Sequence, residues 1–183
     1  MNLDYARDLV MTGAIFGLAA FIWAGIAQER PPAGIVWRIV LGALMAAGLV
    51  LVGFSVPVAI RYWDTPTTLT RGNPALLGYI IVFWLEIIAI VVLAIFYART
   101  KRPHLLAPTI LIVVGVHFAP LALVFGQPIM MLAAVLVTAA GVAALMLPRE
   151  KNASSFWCGI LSAPVFLVIG TIALVAGSAS LAT

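Results

Sequence analysis

Two ionisable side chains stand deep inside apolar runs of this sequence. Glu86 lies in Phe83-Trp84-Leu85-Glu86-Ile87-Ile88, and His117 in Gly115-Val116-His117-Phe118-Ala119-Pro120. An imidazole changes charge near neutral pH, and a carboxyl group holds either a proton or a cation, so this pairing suits a proton relay or a cation site. A charge at the middle of a bilayer costs roughly 2.5–3.5 kcal/mol on insertion scales, and something must offset it. Each residue has a plainer reading: a protonated Glu86 hydrogen-bonded to a neighbouring helix, and a core His117 bonded to a backbone carbonyl. Ser or Thr would make a purely structural tie at lower cost, which is why the acid draws attention to itself.

Three further residues bear on this pair. Tyr79 is seven residues before Glu86 and so on the same helix face, where it either extends a polar track or serves as an interfacial belt tyrosine. Pro120 lacks a backbone N–H and clashes with the carbonyl four residues back, so it should free the Val116 carbonyl and kink the helix beside His117. Pro164, inside Ser162-Ala163-Pro164-Val165, is expected to kink the last helix and open space facing the bundle.

The elements that must position these residues follow from composition. The chain has 183 residues, 64% hydrophobic and 9% charged, against the about 25% charged of ordinary soluble domains. Six apolar runs span 9–27, 37–60, 75–98, 105–125, 128–147 and 156–176, each near the ~20 residues that cross ~30 Å of hydrocarbon as a helix. Backbone groups in lipid must be satisfied internally, and no run alternates as a barrel strand would, so the fold class is an all-α six-helix transmembrane bundle. The runs use most of the chain, which makes it a single transmembrane domain. The first run lacks an A-x-A cleavage pattern and reads as a retained helix.

Orientation follows from the cations. Arg30 and Arg38 flank the first loop, Arg99, Lys101 and Arg102 the third, and Arg149 and Lys151 the fifth; Arg7, Arg61 and Arg71 are on the other side. The odd-numbered loops should therefore be cytoplasmic and both termini on the outer face. Counting 1.5 Å per residue places Glu86 about 16 Å and His117 about 10 Å from that face, on consecutive antiparallel helices, within reach directly or through one water. Thr65-Pro66-Thr67-Thr68 in the longest outer loop reads as an ordered turn. His104, behind Lys101-Arg102-Pro103, reads as an interfacial residue at the cytoplasmic end.

Helix packing is suggested by small residues. Gly13 and Gly17 form a G-x-x-x-G in the first helix, and Ala43 and Ala47, with Gly42 and Gly48, give the second a small stripe. Such spacing allows close backbone approach, and predicts packing of these two helices or else a homo-oligomer or partner-membrane-protein contact.

Several classes are excluded or weakened. The formal charge of +4 is scattered over short loops and makes no continuous basic face, so nucleic acid is not a partner; the lipid bilayer is. The single cysteine, Cys158, allows no intramolecular disulfide. His104 and His117 are thirteen residues apart and face different ways on a helix, and with Glu86 the chain offers too few ligands for zinc; neither haem, metal nor another cofactor is expected. No phosphate loop, H-E-x-x-H or G-x-S-x-G is present, and the serines have no evident base, so an enzyme ranks last.

The Gly115-Val116-His117-Phe118-Ala119-Pro120 string, a G-x-H-F-x-P motif, together with Arg71-Gly72-Asn73-Pro74, resembles a group of small multi-pass bacterial membrane proteins of uncharacterised function. The resemblance covers the third to fifth helices and implies a bacterial inner-membrane protein whose histidine motif matters. It implies no activity. The residues themselves point to small-solute or proton-coupled transport, with a non-catalytic sensor or accessory subunit, binding a lipid, a small apolar ligand or a partner helix, as the alternative.

Overall fold

A proline-and-asparagine start and a left-handed stop bound the helix that carries Glu86. The side chain of Asn73 accepts from the Ala75 amide at 3.0 Å, Pro74 occupies the first helical position, and Lys101, just past the end, has φ 54°. The computed structural model describes residues 3–148 and 152–182, and among these all regular structure is helical. The helices are α1 (Ala6–Ile26), α2 (Ile35–Arg61), α3 (Pro74–Arg99), α4 (Leu106–Val124), α5 (Pro128–Met146) and α6 (Ser154–Leu181), with single 3-10 turns at Ala27–Glu29 and Pro103–Leu105. Each of the six is long and apolar enough to cross a membrane. Large apolar side chains such as Phe54, Leu85, Leu123 and Val135 point outward, as lipid solvation allows. Arg149 and Lys151 lie outside the described residues.

α1 and α6 form the centre of the bundle, α6 touching α2, α4 and α5 besides α1. α1 packs most extensively on α6 and then on α2, while α4 packs on α5 and α5 on α6. A ring cluster ties three of these together: Phe16 of α1 lies 5.0 Å from Phe118 of α4 and 5.4 Å from Phe166 of α6. The α1–α6 seam explains why α6 runs five residues past the apolar stretch that ends at 176. Gly177 sits against the Ala6 carbonyl and the side chains of Leu9 and Val10, so packing rather than hydropathy sets the end.

The expected closeness of α1 and α2 is present, through Gly48 of the small stripe but not through Ala43 or Ala47. A side chain on Gly17 would meet the Gly48 carbonyl at 2.7 Å, and one on Gly48 would meet the Gly17 carbonyl at 2.5 Å. Gly13 approaches Ser55 of α2 and Gly170 of α6. Ala43 and Ala47 are exposed, whereas Leu41, Gly48, Leu51 and Ser55 are buried. The seam thus follows a roughly 3.5-residue repeat through Gly48, and the Ala43–Ala47 pair is turned out of it. Pro164 also departs from expectation. It is exposed while Ser162, Ala163 and Phe166 are buried, so its ring opens no space toward the bundle.

The helix that carries Glu86 is the outlier. Among its described residues α3 has none fully buried, and α4 is the helix on which it packs extensively. Little close backbone packing joins α1 to α3 or to α4. The gap between these three helices is where the ionisable pair lies.

Candidate functional site

Glu86 and His117 meet directly. Glu86 Oε2 lies 3.2 Å from His117 Nδ1, with 15% and 11% of the respective side chains exposed. The approach is off the axis of a straight hydrogen bond, so it is a close polar contact between the two groups rather than an aligned donor–acceptor pair. Antiparallel α3 and α4 bring the two residues to the same depth because the intervening turn is short: α3 ends at Arg99 and α4 starts at Leu106. Pro120, one turn beyond His117, lies within α4 and denies the Val116 carbonyl its usual donor.

Open space flanks the pair on both sides. Toward α1 is a cavity of about 310 Å³, walled by Thr12, Ile15 and Phe16 of α1, Tyr79, Phe83 and Glu86 of α3, and His117 and Phe118 of α4. On the outer side of the α3–α4 seam is an apolar groove of about 370 Å³, lined by Val82, Ile112, Val116 and Pro120 as well as the pair. Tyr79 therefore shares the Glu86 face, as its spacing predicts, and its ring packs on Phe83 and Phe125.

The inner cavity adjoins a second, of about 290 Å³, toward the end of the bundle that carries Arg7; both are lined by Thr12, Ile15, Tyr79 and Phe125. That mouth is built from the α2–α3 loop strapped onto α1. The Arg7 guanidinium donates to the Trp63 carbonyl and stacks over the Trp63 ring. Asp8 accepts from the Thr67 hydroxyl at 2.6 Å and the Thr68 amide at 2.8 Å, so the Thr65–Thr68 stretch is an ordered turn.

At the opposite end, where His104 lies, a cavity of about 510 Å³ runs along the same α1–α4 seam, lined by Ile22, Trp23 and Ile26 of α1 and Ile110 and Val114 of α4. It shares Glu29 and Ser155 with a more polar cavity of about 590 Å³ that also touches Arg30 and His104. Glu29 accepts from the Ser155 hydroxyl at 2.6 Å. On α4 the two cavities end within one turn of each other, at Val114 and His117, while on α1 their nearest wall residues are Ile22 and Phe16; the Phe16–Phe118 ring contact lies in the wall of the cavity at the Arg7 end.

No protein-family model, curated protein or solved structure matches this chain. The site therefore rests on its own chemistry. Among the described residues no three His, Cys, Asp or Glu come together as metal ligands. What is assembled is one acid, one imidazole, a tyrosine and an aromatic wall.

Several of these residues carry no signal when taken singly. Thr12 and Phe16 are four apart, as are Tyr79 and Phe83 with Glu86 three further on, so helical faces of α1 and α3 could have been drawn from periodicity. The Asp8 contacts with Thr67 and Thr68 join residues about sixty positions apart, which no local pattern announces.

Proposed function

We propose that this is a multi-pass membrane protein of a bacterial inner membrane, with odd-numbered loops cytoplasmic and both termini outside, that carries out small-solute or proton-coupled permeation. Glu86 and His117 bind or relay protons, and Pro120 loosens α4 beside them. The observation that supports this most is the set of cavities along α1, walled by α3 and the α2–α3 loop at one end and by α4 at the other. One set leads from the Arg7 end to the pair and another rises from the His104 end; in this reading the Phe16–Phe118 contact, in the wall of the first, is the barrier between them. An acid in the wall of such a cavity, next to an aromatic contact, is arranged to take up a proton from one side and release it to the other after a small side-chain movement. The cation bias of the loops supports the orientation. In proteoliposomes with an imposed pH difference, the native protein carries flux and Glu86→Gln removes it; unchanged flux in the variant rules out the relay.

A second reading draws on the unburied α3 and the apolar groove beside it. There the chain is a non-catalytic sensor or accessory subunit whose groove holds a lipid chain, a small apolar ligand or a partner helix. It predicts no flux from native protein and a lipid or partner that co-purifies and is lost on Val116→Trp, which would fill the groove.

A further inference from the structure

The cavity between α1, α3 and α4 has a composition that selects its ligand. Its wall includes Phe16, Tyr79, Phe83, Phe118, Phe125 and Met130, and its one acid is Glu86. Aromatic faces attract cations, Trp, Tyr and Phe all serving, and a thioether adds a polarisable surface. The Tyr79 ring stacks on Phe83 with centroids 6.3 Å apart and meets Phe125 edge-on at 6.0 Å, giving a continuous aromatic wall on the Arg7 side of Glu86. Phe16 and Phe118 close the other side.

Charge narrows the choice. The titratable groups facing Glu86 are His117 from α4 and Tyr79 from α3, while α1 presents Thr12, Ile15 and Phe16. Arg7 and Asp8 line only the adjoining mouth, where Arg7 is held by Trp63 and Asp8 by Thr67 and Thr68. No lysine or arginine lines the aromatic cavity, so nothing there favours an anion. A bare metal ion would want several more oxygen or nitrogen ligands than one carboxylate and one imidazole supply. At the ~30 Å³ that a water occupies in the liquid, about 310 Å³ holds roughly ten non-hydrogen atoms.

We propose that this cavity binds a small amphipathic organic cation, an ammonium whose charge rests on Glu86 and whose apolar body lies against the Tyr79–Phe83–Phe125 wall. This inference rests on the proton-exchange reading of Glu86 and names its substrate class. In the empty site Glu86 and His117 hold one proton between them. As the ammonium enters, that proton leaves through the mouth at the Arg7 end, and the cation takes its place. The net charge of the site is the same before and after, which a site surrounded by hydrocarbon requires.

Benzyltrimethylammonium is the probe, titrated calorimetrically into the full-length protein in detergent micelles, with proton release followed in weak buffer. Saturable binding is expected, with about one proton released per cation by linkage. Glu86→Gln should bind at least about tenfold more weakly and release no proton. Phe83→Ala should weaken binding several-fold yet still release the proton at saturation, which keeps the test open if Glu86→Gln fails to fold. The neutral isostere neopentylbenzene should not compete. Absent saturable binding, equal affinity in native protein and Glu86→Gln, or competition by the neutral isostere overturns the proposal. Glu86-dependent proton flux without cation binding overturns this inference and leaves the relay standing. Cation binding with proton release, in a protein that carries no flux, supports the site and removes the relay.

Discussion

Replacing Glu86 and His117 by leucine, singly and together, measures what their contact is worth. Polar side-chain contacts between membrane helices average about 0.6 kcal/mol and reach about 1.7, whereas hydrogen bonds to charged groups are worth about 1.5–3. The 3.2 Å separation favours the upper part of the first range, and the off-axis geometry argues against the second. A coupling energy of about 1–1.7 kcal/mol follows. Each single change leaves a polar group stranded among apolar neighbours, while the double change leaves none, so Glu86→Leu/His117→Leu should be more stable than either single variant. Denaturant unfolding in mixed micelles, read by tryptophan fluorescence, supplies the four free energies. Additivity to within about 0.5 kcal/mol would mean that the two residues do not interact, and the site described above would lose its basis.

Other outcomes follow from the same geometry. Gly17→Ile, which drives a side chain into the Gly48 carbonyl, should lower stability by about 1–3 kcal/mol in thermal melts, whereas Ala43→Ile, on the exposed face of α2, should stay within about 0.5. Asp8→Ala removes the acceptor for the Thr67 hydroxyl and Thr68 amide; hydrogen exchange at Thr68 should quicken about tenfold or more, and unchanged protection would show that the strap is held by other contacts. Phe118→Ala removes one ring of the Phe16–Phe118 contact proposed as the barrier, so vesicles containing it should leak protons with no imposed solute, at a cost of about 3–5 kcal/mol in stability. Tight vesicles with folded Phe118→Ala would place the barrier elsewhere.

Helix number and approximate bounds were legible because lipid leaves the backbone one solution and each run is long enough to cross. The meeting of Glu86 and His117 was within reach of the sequence as well, since a short turn between antiparallel helices fixes their relative depth. Which face each helix presents was much less legible. Ala43 and Ala47 look as suited to close packing as Gly48 does, because where every face is apolar the sequence carries no in–out contrast to choose between them. The α1–α6 seam is made by residues such as Gly13, Gly170 and Gly177, far apart in sequence and unmarked by charge. The peripheral place of α3, and hence the cavity beside Glu86, depends on that unseen packing.

The central claim is that Glu86 acts through its exchangeable proton and not through its shape. Initial rates of internal pH change should be compared in proteoliposomes holding equal amounts of native protein, Glu86→Asp and Glu86→Gln. The account predicts that Glu86→Asp keeps a rate clearly above protein-free vesicles and that Glu86→Gln falls to their level. A Glu86→Gln rate equal to or above that of Glu86→Asp would contradict it.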